Sequence, residues 1–417
     1  MTNLAQEAWF KDPALGRVFA LLNADGGEGR VVGGAVRNSL MGLPVSDIDV
    51  ATTLTPETVV ERARASGIKA VPTGIDHGTV TLVIDGKPFE VTTLRTDIET
   101  DGRRAKVAFS TDWRTDAERR DLTINALYAD QRGDVVDLVG GLADIEKRNI
   151  RFIGDAATRI AEDYLRILRF FRFFAYYGSG RPDADGLRAS AAARSKLHTL
   201  SAERIWSELR KLLAAEDPGR ALLWMRQAGV LTEVVPETEK WGIDAIPALL
   251  ATEKALDWRP DPLLRLASIV PPDVARLEKM AARLKLANAE AGFLKAWATA
   301  APINDEMSSA AFDRLLYRNG TEGIVARLKL ALAAARGKAE GDLNEMSRSA
   351  RLGRLLDHAA TWKKPSFPLN GSDVMAGGVP AGKRVGEILS DLENQWIEEN
   401  FAADRATLLA RLAELVR

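Results

Sequence analysis

The sequence predicts a mixed α/β head followed by an all-helical C-terminal region. Three observations carry that expectation. Up to about residue 145, short apolar runs alternate with turn signals: RVVGGAV, DIDVATT, TVTLVIDGKPFEVTTL, INALYAD and DVVDLV. Beyond it strand signals nearly vanish, and apolar residues recur at helical spacing. Pro218-Gly219, Gly229, Pro236, Pro247, Pro260, Pro262 and Pro271-Pro272 then break a series of amphipathic segments.

In chain order, RVV is a short strand that ends in Gly33-Gly34 and opens a helix over 34–42. DIDV is a strand, so at a side-chain period of two Asp47 and Asp49 face one way and Ile48 the other. A helix over 56–66 starts at Pro56, behind Thr55. TVTLVIDGKPFEVTTL reads as two β-branched strands joined at Asp85-Gly86-Lys87-Pro88. From 156 to 177, Ile160, Tyr164, Ile167, Phe171 and Phe174 form one apolar helical stripe. A Pro/Gly-rich break at 363–382 precedes a last helical segment.

Composition removes several chemistries. With 417 residues the chain exceeds a single core, and the length suggests about three domains. No cysteine is present, so disulfides, thiolate metal sites and cysteine nucleophiles are excluded. Only His77, His198 and His358 are available, too few and too scattered for a His-rich metal site. No run approaches the ~20 apolar residues of a bilayer span, and the first residues show no basic start with an apolar core, so a cytoplasmic location is expected. The net charge is −1, yet 147–211 holds fourteen Lys/Arg against seven Asp/Glu, which suits a phosphate-rich partner.

The chemistry-bearing residues cluster early. Asp47 and Asp49 can share Mg²⁺ ions, because hard cations take oxygen ligands and a triphosphate can supply the rest. Gly33 and Gly34 let backbone N–H groups approach phosphates, and Arg37 lies one turn into the helix. The spacing of GGAVRN does not fit a dinucleotide fingerprint. Glu90, a charge among strand formers, is the candidate third carboxylate, as a metal ligand or as acceptor of a hydroxyl proton.

Five motifs then occur in order: GGAVRN with DIDVATT, HGTVTL with FEVTTLR, RRDLTINALY, EDYLRILRFFRF and ERIWSELRKLL. Together they resemble the class II tRNA nucleotidyltransferase and bacterial poly(A) polymerase family, densely over 30–212 and more loosely to the end. The resemblance implies a polymerase-β-like nucleotidyltransferase head at 1–145 and a helical neck with a nucleotide-selecting motif at 146–215. It further implies an RNA-binding helical body at 216–360 and a helical tail at 361–417. It places catalytic metal aspartates at Asp47 and Asp49, and nucleotide contacts at Gly34, Arg37, Arg120, Asp121 and Asn125. It adds Asp163, Arg166, Arg169 and Arg172 from EDYLRILRFFR.

Cytosine and adenine both pair an amino donor with a ring-nitrogen acceptor, which a carboxylate and a guanidinium can read together. Asp163 and Arg166, three apart on one helix, are the expected template. Arg169 continues that ridge, and Arg172 could equally reach triphosphate or RNA.

The implied activity is CCA addition to the 3′ end of tRNA from CTP and ATP. The long polar segment from Leu94 to Arg119 resembles a flexible loop linked in the family to the switch to ATP. Poly(A) polymerase or an A-adding enzyme of the same family is the alternative, and the absence of a basic C-terminal tail speaks against the former. Asn38 departs from the family's usual Asp and keeps hydrogen bonding without charge; His77 is expected to pack or to bond backbone.

Overall fold

In a computed structural model the chain divides into two compact units, Met1–Pro236 and Glu237–Arg417. The structure describes residues 2–75, 78–101, 104–239 and 241–416, with the backbone alone described over 96–101 and 104–107; His77 lies outside the described residues.

The first unit carries strands β1 (Gly29–Val32), β2 (Asp49–Thr52), β3 (Lys69–Gly74), β4 (Thr79–Ile84), β5 (Lys87–Thr93), β6 (Arg95–Asp101), β7 (Arg104–Phe109), β8 (Leu127–Ala129) and β9 (Val135–Asp137). Seven of them form one sheet in the order β3-β4-β5-β2-β1-β8-β9, and β6 pairs only with β7. Every neighbouring pair in the large sheet is antiparallel except β2 and β5, which run parallel. Its helices up to residue 213 are α1 (Pro13–Leu22), α2 (Gly34–Leu40), α3 (Pro56–Ala65), α4 (Trp113–Glu118), α5 (Gly141–Glu146), α6 (Ala156–Glu162), α7 (Leu165–Tyr177), α8 (Ala184–Ala193) and α9 (Ala202–Leu213).

The sheet separates its two faces by strand alternation. Val31, Val50, Phe89 and Val91 pack with Leu15, Val18 and Leu22 of α1 and Val59 and Ala63 of α3. Val32 and Ala51 turn the other way, into a smaller cluster with Ala117, Tyr128 and Ile153. Asp49 shares the parity of Ala51, and Glu90 alternates with Phe89 and Val91, so both acids leave the face opposite α1 and α3.

Three local expectations need correction. The β4–β5 turn uses only Asp85 and Gly86, both at positive φ (52° and 78°); Lys87 and Pro88 already belong to the strand, Pro88 opposite Val83. A tight two-residue turn with that handedness matches the strand twist. The polar segment after Leu94 is a β-hairpin, Arg95 facing Phe109 and Asp101 facing Arg104, closed at its base by the Ser110 amide on the Leu94 carbonyl (2.8 Å). Pairing within the hairpin satisfies backbone groups that an open loop would leave to water. The apolar stripe over 156–177 is two helices, broken at Asp163, whose backbone is extended (φ −156°, ψ 107°). The Asp163 carboxylate accepts the Leu165 amide (3.1 Å), as a helix-starting acid does. Asp163 and Arg166 are therefore not successive members of one helical ridge.

The second unit is helical among its described residues. Phe312, Leu316, Ile324, Leu328 and Leu352 centre one core, and Val374, Leu392, Trp396 and Leu408 centre another. Arg265, 1% exposed, forks onto Glu253, 4% exposed, with Nη2 2.6 Å from Oε2. No helix among the described residues is long and apolar enough to cross a membrane.

Removing one member of a buried ion pair leaves an uncompensated charge. Arg265→Leu should thus cost about 3–5 kcal/mol in denaturant unfolding, whereas the double change of Arg265 and Glu253 to leucine recovers most of it. Equal stability of the single and double variants would refute this account.

Candidate active site

The acids converge at the start of β2. Parallel pairing sets Asp49 directly beside Glu90, but the expected strand over DIDV begins only at Asp49: Asp47 sits in the coil before it, where strand alternation does not set its direction, with Ser46 Oγ donating to its Oδ2 (2.9 Å). Asp49 keeps an exposed surface, yet the protein packed around it displaces enough water to raise its carboxyl above the ordinary value, and the charges of Glu90 and Asp47 push the same way against Arg120. Carboxylates crowded with little relief of their mutual repulsion suit a hard cation, and the all-oxygen donor set fits Mg²⁺. Among the described residues no three His, Cys, Asp or Glu side chains form a preassembled cage, so a bound ion would need ligands from outside the protein.

The glycine turn faces these acids across the β1–α2 junction. Gly33 adopts φ 74°, ψ −115°, and its amide donates to the Leu127 carbonyl (3.1 Å). That conformation is open to glycine and strained for any other residue. Behind it Arg37 is buried at 7% exposure, and among the described residues its guanidinium hydrogen-bonds to neutral groups. Nη1 donates to Asn125 Oδ1 (2.6 Å), Nη2 to the Tyr177 hydroxyl (2.8 Å), and Nε and Nη2 to Asn38 Oδ1 (3.1 and 2.9 Å). The ring of Tyr177 lies 4.2 Å from the guanidinium carbon. Asn38 also donates through Nδ2 to the Pro44 carbonyl (2.8 Å), a bond that an ionised Asp could not make.

RRDLTINALY folds as a short turn over Thr123–Asn125 leading into β8. Asp121 accepts from the Leu122 amide (2.8 Å) and Asn125 Nδ2 (3.1 Å), and from Arg169 through Nε (2.7 Å) and Nη2 (2.6 Å). Burial alone would raise the Asp121 carboxyl; the Arg169 charge and these hydrogen bonds reverse that and hold it below the usual range. Just upstream, Asp116 takes both Arg119 and Arg120.

The α6–α7 junction supplies the remaining groups. Asp163 accepts from Arg204 Nη2 (2.6 Å). Arg166 donates to Glu162 and to the Arg159 carbonyl (2.9 Å). Arg172 donates to the buried Glu208 (2.5 Å). A polar cleft of about 460 Å³ is lined by Gly33, Gly34, Arg37, Asp49, Arg120, Asp121, Asn125, Asp163, Arg166 and Arg169 among others.

Comparison with known proteins places this geometry in a family. Residues 29–151 match the family described as "Poly A polymerase head domain", and 183–241 match "Probable RNA and SrmB- binding site of polymerase A". A mouse protein named CCA tRNA nucleotidyltransferase 1, mitochondrial, is 33% identical over 390 residues, spanning 91% of this chain and 85% of the relative. The chain belongs to the CCA-adding tRNA nucleotidyltransferase family. A Levilactobacillus brevis CCA-adding enzyme is 29% identical over 407 residues, 95% of this chain and 96% of the relative. The crystal structure of the Bacillus stearothermophilus CCA-adding enzyme in complex with CTP superposes with a TM-score of 0.74 at 26% identity, covering 97% of each chain.

In this nucleotidyltransferase ten of the residues singled out from sequence line one cleft, and Asp47, Glu90 and Arg172 do not. Glu90 is an exposed strand neighbour of Asp49, and Arg172 is committed to Glu208. Arg119, Phe173 and Arg204 also line the cleft, with Glu162 and Tyr177 bonded to its cations and Glu208 to Arg172 on the same helix, and the sequence alone did not single them out. For Arg204 and Glu208 the signal was present, since both stand in ERIWSELRKLL, but their partners lie 41 and 36 residues away.

A raised Asp49 carboxyl makes a signed prediction. The folded chain holds that proton more tightly than the unfolded one, so ionisation costs native stability as pH rises from the ordinary carboxylate range through the raised value, and at neutral pH the full cost applies. Asp49→Asn should raise the metal-free Tm at pH 7, and the gain should shrink on acidification to about pH 4. A lower or unchanged Tm with chelator present would refute the crowding of these acids.

Proposed function

We propose that the chain completes the 3′ end of tRNA by adding CCA without a nucleic-acid template, from two CTP and one ATP. The supporting observation is a cleft that joins the Asp49 carboxylate, crowded by Glu90 and Asp47 beside it, to the buried Arg37 and to Asp163 and Arg166. Relatives bearing that activity in their names match along nearly the whole chain. The 3′-hydroxyl of the RNA attacks the α-phosphorus of the nucleotide in line, the new phosphodiester forms, and the bond to pyrophosphate breaks.

Asp47 and Asp49 would hold Mg²⁺, which when bound polarises the phosphate oxygens and stabilises the charge that develops on them. Glu90, beside Asp49, adds negative potential at the same edge. The Gly33-Gly34 turn gives the phosphates close backbone access, while Arg37 and Arg120 offset the triphosphate charge. Asn125 holds Arg37 and Asp121 in register beside the sugar and phosphates.

Asp163 and Arg166 read the base. Arg204 and Glu162 hold them as hydrogen-bond acceptor and donor, in the arrangement that the pairing edges of cytosine and adenine both complete. Uracil and guanine present the opposite order and would leave both groups unpaired, the condition under which polar sites reject analogues strongly. Arg169 braces Asp121, and Arg172 braces α7 against Glu208 of α9. The basic helices after residue 147 would carry the acceptor arm by shape and backbone charge, with the neck, body and tail divided at 146–215, 216–360 and 361–417.

The test is extension of a tRNA transcript lacking CCA, with Mg²⁺ and CTP, ATP or both. Two additions with CTP and a single third with both nucleotides are expected; a long ladder with ATP alone would indicate poly(A) synthesis instead. Asp47→Ala should abolish extension while leaving tRNA binding within about twofold, a split expected when only metal binding is lost. Asp163→Ala should erode rejection of UTP by at least about 10²-fold in kcat/KM, the scale on which lost hydrogen bonding relaxes specificity. Retained discrimination in that variant would remove Asp163 from the base-reading role.

A further inference from the structure

Asp116 is 1% exposed and lies outside the chemistry described above, yet two guanidiniums and a phenol hydroxyl converge on its carboxylate. Arg119 reaches Oδ1 through Nε (2.8 Å) and Nη2 (2.7 Å). Arg120 reaches Oδ2 through Nε (3.2 Å) and Nη2 (3.0 Å), and the Tyr128 hydroxyl donates to the same oxygen (2.9 Å). Both arginines thus spend the same edge on one acid, which turns the Nη1 edge of each away from it, and both line the cleft.

We propose that Asp116 is a positioning residue for nucleotidyl transfer, which holds Arg119 and Arg120 as a two-guanidinium clamp for the triphosphate. The inference rests on the nucleotidyl-transfer reading and deepens it. One carboxylate shared by two guanidiniums leaves a net positive charge, and the fork geometry fixes both planes before a ligand arrives. Tyr128 fixes the carboxylate in turn: it is fully buried on β8 and its ring edge packs against Trp113 at the start of α4 (5.3 Å between centroids). The clamp is therefore built from α4 and β8 together, and Asp116, sealed from solvent, acts only through the arginines. Pre-set donors of this kind favour phosphate charge without reorganising during the reaction.

The clamp predicts a nucleotide-specific defect. Asp116→Asn keeps shape and hydrogen bonding to one arginine edge but loses the charge that orders both. Its affinity for CTP, measured by titration calorimetry on the full chain, should fall about tenfold, and that for CMP less than threefold. In extension assays KM for CTP and for ATP should rise together while KM for tRNA and the choice between the two nucleotides stay as they are. Unchanged CTP affinity, or a loss equal for CMP and CTP, would overturn the clamp.

Should Asp116→Asn fail to fold, Tyr128→Phe carries the test, with CTP affinity expected to fall about threefold and CMP affinity unchanged; wild-type affinity would overturn the proposal. Wild-type protein that binds CTP but extends no tRNA would overturn the proposed activity alone and leave the clamp to be judged by binding.

Discussion

One polar relay ties the β1–α2 turn to α7: Arg37 to Asn125, Asn125 to Asp121, and Asp121 to Arg169. Its members come from α2, the stretch from Asp121 to Asn125 and α7, and these bonds tie the three together. Burying a charge is costly unless its hydrogen bonds are met, and each link satisfies the next. The two ends of the cleft can therefore not drift independently, and these bonds set its dimensions.

The electrostatics divide along the same line. On α7, Arg166, Arg169 and Arg172 each have an acid of their own in Glu162, Asp121 and Glu208. Their charge is spent on holding geometry. Among the described residues no carboxylate forms an ion pair with Arg37, since Asn38 supplies the fork with a neutral oxygen, and the desolvated guanidinium is easier to deprotonate than an ordinary arginine. Facing it, Asp49 is an acid with too little positive charge near it. A cation bonded to neutral groups and an acid crowded by like charge thus line one cleft, each with one opposite charge, Asp121 and Arg120, acting on it.

Much of this was legible in the sequence. The glycine turn, the D-x-D pair, the change to all-helical structure and the order of five motifs depend on local chemistry or short spacing, which sequence displays directly. What stayed hidden was pairing at a distance. The spacing of Asp163 and Arg166 suggested one helical ridge, but Asp163 caps a new helix and is held by Arg204 from α9. Asp116 is four residues before Arg120 and could have been suspected from spacing alone; its burial, and the hydroxyl that Tyr128 adds, follow only from the meeting of α4 with β8. Glu90 was found because a charge interrupts a strand, but its place beside Asp49 depends on a parallel register that periodicity does not encode.

That parallel register has a consequence for how the chain acquires its chemistry. β2 and β5 are the one parallel pair in the large sheet, and the chain reaches β5 only after α3, β3 and β4 have been laid down between them. The β4–β5 hairpin can form by itself from its two-residue turn, while the Asp49–Glu90 contact requires closing a loop of about forty residues against chain entropy. Pairings of that kind form slowly relative to local ones. Two mutually repelling acids are thus brought together by long-range backbone pairing, and their juxtaposition is a property of the finished head rather than of the peptide that carries the motif.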